Sequence, residues 1–186
     1  MSHSIDLSAN GMVGVTREAL VSLCSSLLRE IGPDAAAYLQ NAGYAGGATL
    51  FDAFSTWLLA RGGGTPDTLP ALKFAERATE FFRELGWGSL DLGALGEAVA
   101  TIDSRDWAEA DPSIQLEFPG CYLTTGLFAD FFGRLAGNPL AVMEVECRSM
   151  GSAHCRFLLA SPEVMQHVYD AMGAGMAYDA AVASAE

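Results

Sequence analysis

No apolar run in these 186 residues approaches the roughly 18–20 that cross a bilayer. The longest stretches are broken by Asp52, Arg61 and Asp130. The N-terminus, MSHSIDLSAN, lacks the basic and apolar regions of a secretory leader, so a cytoplasmic protein is expected. Positive charge is scarce. Lys and Arg number 10 against 23 Asp and Glu, for a formal net charge of −13. Such a surface repels phosphate backbones and anionic membranes, so neither nucleic acid nor a membrane surface is an expected partner. Asp91, Glu97, Asp103, Asp106, Glu109, Asp111 and Glu117 are set against Arg105 alone and read as a solvated face. No catalytic set is legible. There is no nucleophile elbow, and Gly62-Gly63-Gly64 lacks the Lys-Ser or Lys-Thr of a phosphate loop. Binding rather than catalysis is therefore the expectation.

What is present is enough apolar sequence, 51%, to build a core without disulfides. Residues 1–14 read as a flexible arm, 15–176 as one domain and 177–186 as a frayed Ala-rich tail. A helix is expected over about 16–31, where Leu20, Leu23, Cys24, Leu27, Leu28 and Ile31 form one stripe. Gly32-Pro33 ends it. A second helical stretch covers 34–61, with weak points at Gly43, Gly46 and Gly47 and a firm stripe of Leu50, Phe54, Trp57 and Leu58. A third spans about 69–85, capped by Gly86.

The period then shortens. Strands are expected at 87–92 and 96–103 around Gly93, and at Ile114–Phe118. A helix should run from Cys121 to about Ala136, followed by a hairpin of strands at 140–147 and 153–160. Ser161-Pro162 opens a last helix. Helices first and hairpin-linked strands later give an α+β class, an antiparallel sheet covered by helices behind a helical N-terminal region.

Four cysteines in a reducing compartment point to metal ligands or buried thiols rather than disulfides. Cys24 sits on an apolar stripe and reads as a packed thiol. Glu144, Cys147 and Cys155 fall where a hairpin brings its strands together. Glu144 and Cys147 have opposite strand parity, so the chain must turn or bulge near Cys147 for both to face one point. Cys121 opens a helix, where the dipole favours a thiolate. Three thiolates and a carboxylate suit a tetrahedral ion, with zinc the default. Spacing alone leaves two alternatives open, buried thiols or a Cys147–Cys155 disulfide.

From Phe81 to Glu163 the chain resembles the 4-vinyl reductase domain family. The resemblance rests on Phe81-Phe82-Arg83-Glu84-Leu85-Gly86-Trp87-Gly88, Asp103-Ser104, Cys121, Gly126-Leu127-Phe128, and above all on Glu144-x-x-Cys147-x7-Cys155-Arg156-Phe157. In the related phenol-sensing bacterial activators the zinc ligands are such a Cys, Glu, Cys, Cys set. The resemblance thus implies one zinc on Cys121, Glu144, Cys147 and Cys155. It also implies a fold like that of haem-based nitric-oxide sensors and TRAPP transport subunits, and a homodimer paired through the N-terminal helices.

It implies in addition a small-molecule pocket between helices and sheet. Phe82, Trp87, Trp107, Tyr122, Phe128 and Phe132 are the candidate lining, with Thr124, Thr125, Tyr122 and Tyr44 as polar anchors. Where the phenol sensors place a tryptophan this chain has Thr101, and their histidine has no counterpart before Trp87. An apolar or larger aromatic ligand is therefore expected instead of phenol. The leading expectation is a zinc-containing sensor or carrier that signals to a downstream protein. The alternatives are an accessory protein or reductase of bacteriochlorophyll (tetrapyrrole) synthesis, as the family name suggests, and a dimeric scaffold.

Overall fold

A computed structural model describes residues 5–185. Six α-helices and one four-stranded antiparallel sheet make up most of the regular structure of those residues: α1 (Arg17–Ile31), α2 (Ala35–Ala60), α3 (Ala71–Glu84), β1 (Asp91–Leu95), β2 (Val99–Ser104), α4 (Tyr122–Ala136), β3 (Ala141–Glu146), β4 (Cys155–Ala160), α5 (Pro162–Gly173) and α6 (Tyr178–Ala183). The strand order is β1-β2-β4-β3. The expected α+β class is the observed one.

Strand alternation sorts the sheet into two faces. Ile102, Phe157 and Leu159 point into an aromatic core shared with α2, α3 and α4. Val99, Leu158 and Ala160 belong to a smaller cluster under α5 and α6. The larger core is built from rings in edge contact. Phe82 meets Trp107, Phe128 and Phe131 at centroid distances of 5.8, 5.9 and 5.3 Å, and Phe54 lies 5.2 Å from Phe81.

Helices α2 and α4 cross in unusually close contact. A β-carbon on Gly43 would fall onto the Leu123 carbonyl, and one on Gly126 onto the Gln40 carbonyl. The glycines that weaken α2 as an isolated helix are what lets α4 lie against it. Tertiary packing outweighs helix propensity here.

Several expectations are corrected. Gly93 lies within β1, paired with Thr101, and the turn falls instead at Gly96 with φ +71°. Residues 87–90 precede the strand rather than forming it. No strand forms at 114–118. Gln115 takes φ +55°, and the Leu116 amide donates to Ser149 O. The 177–186 tail carries α6, whose Ala181 and Val182 are buried. The Leu50, Phe54, Trp57 and Leu58 stripe is spent inside the protomer core, whereas α1 keeps apolar side chains facing out, among them Leu23 and Ile31. Residues 1–4 of the expected arm lie outside the described residues. Ile5 and Met12 pack against the core.

Candidate metal centre

Cys121, Glu144, Cys147 and Cys155 converge, with one donor atom from each lying within 4.8 Å of all the others. All four are buried, at 1%, 7%, 0% and 0% exposure. The parity problem is solved by a bulge. β3 pairs Glu144 with Phe157 and Glu146 with Arg156, so one extra residue is taken up between them. Cys147 thereby returns to the inner face with Glu144. A 3-10 turn at Arg148–Met150, closed by Gly151 at φ +92°, brings the chain back to Cys155. Cys155 is paired with Ser104 of β2.

Cys121 occupies the N-cap position of α4, and its side chain makes no capping bond. Its backbone N–H donates to Glu144 Oε2 at 2.8 Å, which fixes the carboxylate. The other oxygen, Glu144 Oε1, is buried with no hydrogen-bond partner among the described residues. Cys121 Sγ and Cys147 Sγ are 3.9 Å apart. That is far beyond a disulfide bond, and all four cysteines are free, which removes the Cys147–Cys155 disulfide alternative. It is close to the edge of about 3.8 Å expected for a sulfur tetrahedron around a zinc ion at about 2.3 Å.

Charge leads to the same conclusion. Hydrogen bonds from the Cys121 and Cys155 thiols hold Cys147 far below the usual thiol range. Cys121 is lifted foremost by its bond to Cys147, and Glu144 by burial and then by the Cys147 charge. Without a cation, this cluster keeps one thiolate and forces its neighbours to stay protonated. An orphaned carboxylate oxygen, sulfurs at tetrahedral spacing and a surplus of negative donors together fit a divalent ion. The cluster could hold a metal.

The other candidates are placed differently. Phe82, Trp107 and Phe128 are fully buried in ring-to-ring contact, and Trp87 stacks on Trp107 at 5.5 Å. Phe132 is buried, but its edge lines a cavity of about 910 Å³ between α3, the β1–β2 hairpin and the C-terminal half of α4. Tyr122 lines two other grooves. Thr124 is occupied by Trp107 Nε1 at 2.6 Å and by Glu109, and Thr125 by the Tyr122 carbonyl and Gln40. Tyr44 is exposed. His154 is half-buried between Asp103 and Glu146, at 3.7 and 3.5 Å, and is not among the converging donors.

Glu109 is the residue that sequence reasoning misses. It falls in the acidic stretch that reads as a solvated face, yet it is 5% exposed. Its pKa is lifted to about 7 by burial, against the pull of the Thr124 hydroxyl and the Thr124 and Leu123 amides. No spacing rule marks it. The only sequence hint is its place two residues after Trp107 in a stretch that holds no regular element.

Residues 109–160 match the family model of the 4-vinyl reductase domain. Among curated proteins none matches. Of solved structures, the phenol-responsive sensory domain of the transcription activator PoxR, with phenol, aligns at TM-score 0.61 and 18% identity over 82% of this chain and 77% of that one. A trafficking protein particle complex subunit 3 from Naegleria fowleri, covalently bound to palmitic acid, aligns at TM-score 0.55 and 15% identity over 77% and 93%. A vinyl-4-reductase family protein from Methanocaldococcus jannaschii aligns at 0.48 and 19% over 65% and 66%. The first two likenesses bear on the fold alone. The converging Cys, Glu, Cys, Cys set and the family match over 109–160 agree that this chain carries a 4-vinyl reductase domain.

Proposed function

We propose that the protein is a small-molecule-binding sensor domain held together by one structural zinc ion on Cys121, Glu144, Cys147 and Cys155. The observation that carries the metal reading is the buried convergence of those four donors, with Glu144 Oε1 left unpartnered among the described residues. Four protein ligands leave no coordination position for an activated water, so the ion is structural. It would pin the start of α4, through Cys121, to the β3–β4 hairpin.

The ligand is an apolar or aromatic small molecule. The cavity lined by Phe74, Leu92, Phe132, Leu135, Leu140 and Leu159 has the size and character of such sites. It lies at the end of α4 opposite the cluster. The phenol of the PoxR domain and the palmitic acid of the trafficking subunit are both consistent with apolar cargo on this fold. We further infer a cytoplasmic homodimer paired through α1, passing its signal to a downstream protein.

Native mass spectrometry of protein purified without added ligand tests the reading. One zinc per chain together with a co-purifying apolar compound is the expected result. A thermal-shift screen in which only nucleotides or anionic metabolites raise the melting temperature would overturn the ligand reading.

A further inference from the structure

A helix start leaves its first amides without partners, and the N-cap side chain normally takes one of them. In α4 the N-cap residue is Cys121, and its sulfur makes no such bond. Two carboxylates from elsewhere supply the acceptors. Glu144 takes the N–H of Cys121 at 2.8 Å. Glu109 accepts from Leu123 N at 3.0 Å, from Thr124 N at 2.8 Å and from the Thr124 hydroxyl at 2.5 Å. The same Thr124 oxygen receives Trp107 Nε1 at 2.6 Å. The Cys24 thiol of α1 is also hydrogen-bonded to Glu109. One buried carboxylate thus ties together α1, the segment after β2, and the first turn of α4.

We propose that Glu109 is the positioning residue of the metal centre. It is a remote cap that satisfies the first turn of α4, so that the Cys121 sulfur is free to face Cys147 and Glu144. The inference rests on the reading of these four residues as a metal site. Cys121 is the one donor of the four outside the hairpin, so its placement depends on how α4 begins. From the hairpin, that start receives the bond from Cys121 N to Glu144. Glu109 supplies the bonds to the next two amides that face it. Loosening Glu109 would let the first turn fray and Cys121 Sγ drift, while the three hairpin donors keep their places.

The test uses the full chain reconstituted with cobalt(II). The visible spectrum and the rate of metal loss to an excess of chelator are read for the wild type, Glu109→Gln, Thr124→Val and Thr124→Ser. Outer residues that orient metal ligands typically change affinity by about 10–100-fold. Glu109→Gln should therefore release cobalt at least about tenfold faster, with an altered sulfur-to-cobalt charge-transfer band. Thr124→Val should shift both in the same direction by less, and Thr124→Ser should restore the wild-type values. Phe74→Leu, in the core at the far end of α4, should lower the melting temperature and leave spectrum and release rate unchanged. If Glu109→Gln does not fold, the Thr124 pair carries the same comparison. Wild-type spectra and release rates in Glu109→Gln, or in Thr124→Val where that pair is decisive, would overturn the proposal. A wild-type protein that takes up no cobalt would instead overturn the metal reading beneath it.

Discussion

Gly126 of α4 lies so close to Gln40 of α2 that a methyl group on Gly126 would occupy the Gln40 carbonyl oxygen. Gly43 stands in the reciprocal relation to Leu123, so the crossing is sealed from both sides. Because the obstacle is backbone, it cannot move aside as a side chain would. Gly126→Ala and Gly43→Ala should each cost about 3 kcal/mol or more by overpacking. Gly46 is the control. Its β-carbon would meet only Leu127 Cδ1 at 3.7 Å, so Gly46→Ala should stabilise by up to about 1 kcal/mol through helix propensity. Urea unfolding of the three variants checks both signs.

The metal ligands and the helix stripes are legible in the sequence because they depend on local spacing. Opposite parity at Glu144 and Cys147 demands a bulge, and one is present between Glu144 and Glu146. What is not legible depends on distant partners. Three alternating apolar residues at 114–118 have the pattern of a strand, but the segment docks on Ser149 instead of on a sheet edge. The Leu50–Leu58 stripe gives no sign that α4 will cover it, because the glycines that allow this are far apart in the chain, at 43 and 126. Glu109 carries the same charge as its solvated neighbours, and only the tertiary fold buries it.

The tail is held by specific contacts. Tyr178 Oη donates to Glu146 at 2.6 Å and accepts from Arg156 Nη1 at 3.1 Å, while Arg156 grips Asp103 with two bonds of 2.8 and 2.7 Å. Tyr178→Phe should cost about 1 kcal/mol. Val182→Asp should cost about 3 kcal/mol or more, since it places a charge in a site with 1% exposure. Denaturant midpoints with an unchanged slope would confirm both.

Asp106 supplies a pH dependence. Burial raises its pKa, but the Ser89 hydroxyl and amide, Ser104 and the nearby Arg17 outweigh burial and leave it below the usual 3.8. A carboxylate with a depressed native pKa contributes stability above its unfolded value and loses it as pH falls through the native one. Asp106→Ala should therefore cost less than about 1 kcal/mol at pH 7, given its solvent exposure, and the gap to wild type should narrow below pH 3.8. Paired unfolding curves at acid and neutral pH measure it.

Leu23 is 56% exposed on α1, next to the buried Cys24 but turned away from the core. In the proposed dimer it lies in the two-fold interface. Light scattering at micromolar concentration should give about twice the 19.6 kDa chain mass for wild type. Leu23→Glu should give the single mass and still fold. A wild-type monomer across the concentration series would rule the dimer out.

The central claim is that Cys121, Glu144, Cys147 and Cys155 hold one structural zinc. X-ray absorption at the zinc edge, on protein purified without added metal, addresses it most directly. The expected result is about one zinc per chain with three sulfurs at about 2.3 Å and one oxygen at about 2.0 Å. Zinc-free protein of normal stability whose buried cysteines react freely with thiol reagents would contradict the account.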